Sequence, residues 1–324
     1  MFMKTIHKIQ AKINEAAANN SKELDLSGIA LTERQLAIII AILLDKIPEI
    51  AALRLSDCEL TYIPPTIGNL NSLKNLFLQN NKLRKLPDSL GRLPSLINLN
   101  VSHNRLSALP ETIGNLKCLQ VLVVAHNKLT SLPESIGKLN WLYVLRANNN
   151  KLSRLPKAFK SLAGLSALDL SYNPQLQTIA KDLQYMEYLV RLYINGNNLT
   201  VLPMGVNNFT RLQQLHASGN NFSSLPEYMR DLNKLSVLNL EGSIQNLDVN
   251  SIAVLQDLYE NNPQLHFEGV DIKNLIHNNA GAATEKEVPG VMFHQLRRFA
   301  GFGAFSNYAY NIQKANLAQG QGTS

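Results

Sequence analysis

The chain has 324 residues, a formal charge of +7 at pH 7 and only 17% charged residues, below the roughly 25% usual for soluble domains. Its length alone would suggest two ordinary globular domains, and its basic balance favours acidic surfaces without identifying one. The longest apolar run, residues 36–44, is nine residues where about 20 are needed to span a bilayer, so a soluble protein is expected. Cys58 and Cys118 are the two cysteines; no paired set marks either end, which favours a reducing compartment. The N-terminus lacks the apolar core of a cleavable signal peptide.

Residues 3–19 read as an amphipathic helix, with Ile6, Ile9, Ile13 and Ala17 on one face and Lys4, Lys8 and Lys12 off it. Such a helix either covers the open end of a repeat array or binds a membrane surface. A first unit opens at Leu24-Asp25-Leu26, and Thr32 with Gln35 forms a capping-box pair before the apolar run from Leu36. From Leu53 the same place is held by Leu76, Leu99, Leu122, Leu145 and Leu168 at a period of 23 residues, within the pattern L-x-x-L-x-L-x-x-N-x-L-x-x-L-P. The step to Leu192 is longer because Pro174-Gln175 adds a residue, and Ala180 stands where proline is expected, so that unit should be irregular. The rhythm resumes at Leu215 and Leu238. Ser251 to Asn261 reads as a helix ended by Asn262-Pro263, and Leu265-His266-Phe267 as an eleventh strand. Residues 272–277 suggest a short closing helix, and 279–290 have linker composition. The end of the chain holds Phe293, Leu296, Phe299, Phe302 and Phe305; it reads as a further cap, a transport signal or a partner- or membrane-binding helix.

A fixed period with this leucine spacing is a leucine-rich repeat. The paired leucines point inward from a short strand, and since no single unit can bury them, units stack. Asn81, Asn104, Asn127, Asn150, Asn173, Asn197 and Asn220 follow the strands, where their amides can satisfy backbone groups of the inward turn. Cys58 occupies that place in an early unit. The Leu-Pro step directs an extended return on the convex side. The expected fold is an α/β repeat: a horseshoe solenoid with a parallel concave sheet of about 11 strands, about 50 Å long, and helical caps. The expected boundaries are a capping helix at 1–23, the repeat domain with its C-terminal cap at 24–278, and a linker and tail at 279–324.

The outward positions of the concave sheet are free of packing duty. The residue between the paired leucines and the one two places beyond the pair together put Phe77, His103, Val123, His126, Arg146, Tyr172, Tyr193 and His216 on one face. Aromatic side chains and arginine are enriched in binding hot spots, although exposed strand positions favour aromatics in any case. His103 and His126 lie one strand apart, but two histidines without a third ligand make a poor metal site; neither a metal nor a cofactor is expected. Lys82, Arg105, Lys128 and Lys151 form a basic lateral column, either a solvated filler or a grip on an acidic partner. Nucleic acid is not expected, because stacking aromatics do not interleave with that column. There is no phosphate-binding glycine loop, no H-E-x-x-H and no G-x-S-x-G, and the chain is expected not to be an enzyme.

Leu-Pro-Glu-Thr-Ile-Gly-Asn-Leu at 109–116, echoed at 86–93 and 132–139, resembles the 23-residue repeats of intracellular scaffolds of the Ras-suppressor type. The opening isoleucine helix followed by Leu24-Asp25-Leu26-Ser27-Gly28 looks like bacterial members of this superfamily. With the cysteine-poor chain, this resembles the leucine-rich-repeat effectors that intracellular bacterial pathogens inject into host cells. The resemblance implies a non-enzymatic module, secreted into the host cytoplasm, that binds a folded host protein on its concave face, without integral membrane contact. The alternative is a scaffold in the bacterial cytoplasm with an endogenous partner. One effector branch carries a ubiquitin-ligase domain with a catalytic cysteine; no cysteine follows Cys118 here, so that activity is not carried over.

Overall fold

The structure, a computed structural model, describes residues 2–274 apart from 180–182, 184, 203–208, 245–246 and 270. The chain divides into two compact units, Met1–Asp271 and Ile272–Ser324. Ala180, residues 275–277 of the closing helix, the linker and the phenylalanine tail lie outside the described residues. In the first unit, eleven three-residue strands form one parallel sheet in chain order. They are β1 (Glu23–Asp25), β2 (Ala52–Arg54), β3 (Asn75–Phe77), β4 (Asn98–Asn100), β5 (Val121–Val123), β6 (Val144–Arg146), β7 (Ala167–Asp169), β8 (Arg191–Tyr193), β9 (Gln214–His216), β10 (Val237–Asn239) and β11 (His266–Glu268). Every pairing is in register, so the period leucines stack from Leu53 to Leu238 with essentially no exposed surface.

The last strand departs from the sequence reading. Leu238 pairs with Phe267 and Asn239 with Glu268, so the inward place belongs to Phe267 rather than Leu265. Helix α3 (Val249–Asn261), capped by the Asp248 carboxylate on the Ser251 N–H, replaces the usual return and removes the spacing that counts register. His266 still faces outward, two places earlier in register than expected, opposite Val237 instead of Asn239.

At the other end, α1 (Phe2–Ala18) packs on α2 (Glu33–Lys46) and β1, burying Ile9 and Ile13. An apolar face spent on the first unit favours the end-cap reading over a membrane helix. The Thr32–Gln35 capping box is formed reciprocally at the start of α2.

Between strands the return is not simply extended. Pro87, Pro110, Pro133, Pro156 and Pro226 of the Leu-Pro step are extended residues that each precede a five-residue 3₁₀ helix, as at Glu111–Asn115 after Pro110 (φ −67°, ψ 146°). The asparagine spine behaves as its chemistry requires. Asn104 donates to the carbonyls of Leu78, Val101 and Ser102 and accepts from the Leu83 N–H. Cys58 takes over this role with its thiol, 3.2 Å from the Leu26 carbonyl and 3.3 Å from that of Ser56. Burial pushes this thiol's pKa up to about 11, so it serves as a neutral donor and not as a nucleophile. Ser243 closes the spine, donating to the Ala217 carbonyl and accepting from the Asn220 N–H.

Candidate functional site

Period-2 strands turn two residues each toward solvent. The first outward column runs through Arg54, Phe77, Asn100, Val123, Arg146, Asp169, Tyr193, His216, Asn239 and Glu268; the second runs through Asn75, Asn98, Val121, Val144, Ala167, Arg191, Gln214 and Val237. The sequence reading used only the first. It therefore missed Arg191, although the same alternation places it on this face.

The column two places beyond the leucine pair has a different geometry from the expected one. Asp57, Asn80, His103, His126, Asn149 and Tyr172 all lie in the left-handed region, with φ between 52° and 59°, and Gly196, Gly219 and Gly242 continue it. This is the turn that swings the chain inward toward the spine asparagine. Asn, Asp and Gly adopt it at low cost. Tyr172 is a bulky residue held where its backbone is disfavoured, and its ring lies across the next repeat at Gly196: a β-carbon there would stand 2.5 Å from Tyr172 Cδ1.

The predicted residues are brought together in groups. His103 and His126 stack with ring centroids 4.0 Å apart and planes 11° from parallel. Together with Val123, Arg146 and Tyr193 they line a hollow of about 500 Å³, which Asp169 and Arg191 complete. Tyr193 stacks on His216 at 4.8 Å and its hydroxyl donates to Gln214 Oε1. His216 is in turn 3.6 Å from the Glu268 carboxylate. Phe77 lies outside the hollow beneath the Arg54 guanidinium, 4.5 Å from its ring centroid. Tyr172 does not line the hollow, and more than half of its surface is exposed. Among the described residues no group of three metal-binding side chains forms.

Burial raises the Asp169 pKa above its ordinary value of 3.8, against the opposing effect of the Ser171 N–H and hydroxyl and of Arg146. Desolvation lowers the His126 pKa below 6.5; its neighbour His103 adds to this and Asp169 opposes it. For His126 the unfolded chain binds protons more readily than the folded one, so stability rises with pH across this window. Asp169 has the opposite sign: its burial costs stability as pH rises from 3.8 through the raised folded value, a more acidic window. The denaturation midpoint is therefore expected to fall as pH drops from 7 to 5, and His126→Asn, which keeps a residue suited to the left-handed turn, should flatten that fall. An unchanged pH slope in the variant would show that the histidine pair does not carry it.

The basic lateral column is also formed. Lys82 is engaged by Glu59 at 3.0 Å, while Arg105, Lys128 and Lys151 are exposed.

Residues 99–199 match the family model described as a leucine-rich repeat region, and residues 48–106 that of a leucine rich repeat. Among solved structures, the chain is similar to an internalin of Listeria monocytogenes, with 22% identity, a TM-score of 0.59, and coverage of 81% of this chain and 82% of that one. It is also similar to Toll of Drosophila, with 28% identity and a TM-score of 0.52, covering 62% of this chain and 29% of that chain. No curated protein matches the chain in sequence. With the eleven-stranded open parallel sheet, these matches make the fold a leucine-rich-repeat solenoid.

Proposed function

We propose that this solenoid docks a folded protein on the concave face between β3 and β9, and that it does so as a translocated bacterial effector whose partner is a host protein. Leucine-rich repeats are generally protein-interaction modules, and the Toll structure is that of a complex with Spätzle. The observation that carries the docking reading is the run of large side chains stacked on one another outside the core. Phe77 under Arg54, His103 on His126 and Tyr193 on His216 are held in place by neighbours in the sheet, which lowers the entropy cost of presenting them. Of these, His103, His126 and Tyr193 line a hollow large enough to accept a side chain from a partner. The host assignment is supported by the effector resemblance of the opening helix and repeat motifs.

The full chain is expected to retain a protein from eukaryotic lysate that the variant Phe77→Ala, Arg146→Glu, Tyr193→Ala does not, with thermal stability nearly unchanged. Hot-spot losses of about 2 kcal/mol or more per anchor would abolish capture. Tyr172→Asn, which relieves left-handed strain, should hold or raise the melting temperature while weakening capture. Equal retention by wild type and the triple variant would overturn the concave assignment. Capture from bacterial lysate alone would overturn the host one and favour an endogenous scaffold.

A further inference from the structure

The polar groups around the concave hollow are unequally committed. Asp169 Oδ1 accepts from the Ser171 N–H at 3.0 Å. Asn100 Oδ1 accepts from the Ser102 N–H and hydroxyl at 3.0 and 2.7 Å. Because a backbone donor fixes which way the Asn100 amide points, its NH₂ group is left over as a donor. Arg146 and Arg191 also line the hollow, and both are exposed. Among the described residues neither guanidinium makes a hydrogen bond or an ion pair. Other arginines of the chain are engaged: Arg54 and Arg211 lie over the rings of Phe77 and Tyr188, and Arg230 pairs with Asp257.

The two free guanidiniums reach the hollow from different columns. Arg146 stands between Val123 and Asp169 in the first outward column, and Arg191 between Ala167 and Gln214 in the second. Ala167 also lines the hollow, and its single methyl fills little of the roughly 500 Å³. With the imidazoles of His103 and His126 neutral, two positive charges face one negative charge. A single carboxylate cancels that excess. A phosphate dianion would overshoot it and add repulsion against Asp169. Guanidinium and carboxylate are also matched in shape, each planar and able to make two parallel bonds. Val123, on the same wall, offers apolar surface to the methylenes of an acidic side chain.

We infer that the hollow receives an acidic side chain of the docked partner, held by Arg146, Arg191 and the Asn100 amide, with Asp169 as an opposing charge that weakens the grip. This rests on the docking reading above and names what the partner brings to it.

The full chain is to be titrated with hexaglutamate while the imidazole NMR signals of His103 and His126 are followed. Saturable shifts are expected, weakening as salt is raised, and hexaglutamine should give none. Arg146→Gln and Arg191→Gln should each weaken hexaglutamate binding about fivefold, the upper end for an ion pair that water reaches, with an unchanged melting temperature. Asp169→Asn has the opposite sign and should tighten binding about twofold or more. The fold accommodates that change, since Asn100 already makes the same bond to the N–H two residues on. Four results would overturn the inference. They are the absence of a saturable shift with hexaglutamate, weaker binding by Asp169→Asn, displacement of hexaglutamate by an equal concentration of inorganic phosphate, and an equal loss in the double variant Lys128→Gln, Lys151→Gln. The third would make the hollow a phosphate site, and the last would put the acid on the lateral basic column.

Capture from eukaryotic lysate keeps this apart from the docking reading. A protein lost by Phe77→Ala, Tyr193→Ala but retained by Arg146→Gln, Arg191→Gln would leave the concave face standing and remove the acidic contact. Retention by both double variants would remove the docking reading, and this inference with it.

Discussion

Asn173→Ala is expected to remove about 3–5 kcal/mol of stability, counting at about 1–3 kcal/mol each the buried polar groups left without partners. Asn173 has no exposed surface. Its amide donates to the carbonyls of Ala147, Leu170 and Ser171 at 3.2, 2.9 and 3.3 Å, and its carbonyl oxygen accepts from the Leu152 N–H at 3.0 Å. Truncation strands the Leu152 N–H and at least the Ala147 carbonyl in a site closed to water by the neighbouring units. Asn127, only half buried with an analogous set of bonds, should cost less, because water can replace part of what is lost. The loss should be local at first. In a stacked array each unit leans on its neighbours, so amide exchange at Leu152 should accelerate strongly while amides in the first units keep their protection. A fall in stability below about 1 kcal/mol would mean that water reaches the spine and that the asparagine ladder is replaceable.

How much of this was legible follows from what repeats and what does not. The leucine period determines strand number and register wherever the unit length is constant, and the inward leucines from Leu53 to Leu238 fell where they were expected. Register was misread only at β11, where α3 replaces a normal return and the count has no reference. The left-handed column was legible and was read as something else. Asp57, Asn80 and Asn149, followed by Gly196 and Gly219, are the residue types that tolerate positive φ, and that composition signals a turn rather than a free binding position. His103, His126 and Tyr172 therefore owe their direction to the turn as well as to the sheet. What no periodicity could supply is which side chains stack across repeats. The pairing of His103 with His126, and the closure of the hollow by Arg191 from the other outward column, depend on side-chain angles and on strand spacing together.

Gly91→Ala should be among the most damaging single-methyl additions in the chain, with an expected cost of about 1–3 kcal/mol for overpacking and local distortion besides. The β-carbon would stand 2.2 Å from the backbone oxygen of Thr112 and 2.7 Å from its Cβ. Neither obstacle is the end of a flexible side chain, so relief requires the two 3₁₀ helices Asp88–Arg92 and Glu111–Asn115 to move apart. The same contact recurs at Gly68 against Ser89, Gly114 against Ser135 and Gly137 against Ala158. These glycines are what allows the convex helices of neighbouring repeats to approach closely, and the small per-repeat rotation that results sets the curvature of the opposite, concave face. A wedge at Gly91 thus acts on β3 to β5 from behind, near Phe77 and His103. The variant should lose stability and also weaken partner capture more than its stability loss alone explains, because the stacked side chains of adjacent strands would no longer share one arc. Gly164→Ala is the internal control, since its β-carbon has only ordinary contacts. Denaturant midpoints of the two variants should differ clearly. If Gly91→Ala proves as benign as Gly164→Ala, the helices have room to separate, and the glycine ladder does not govern the curvature of the face.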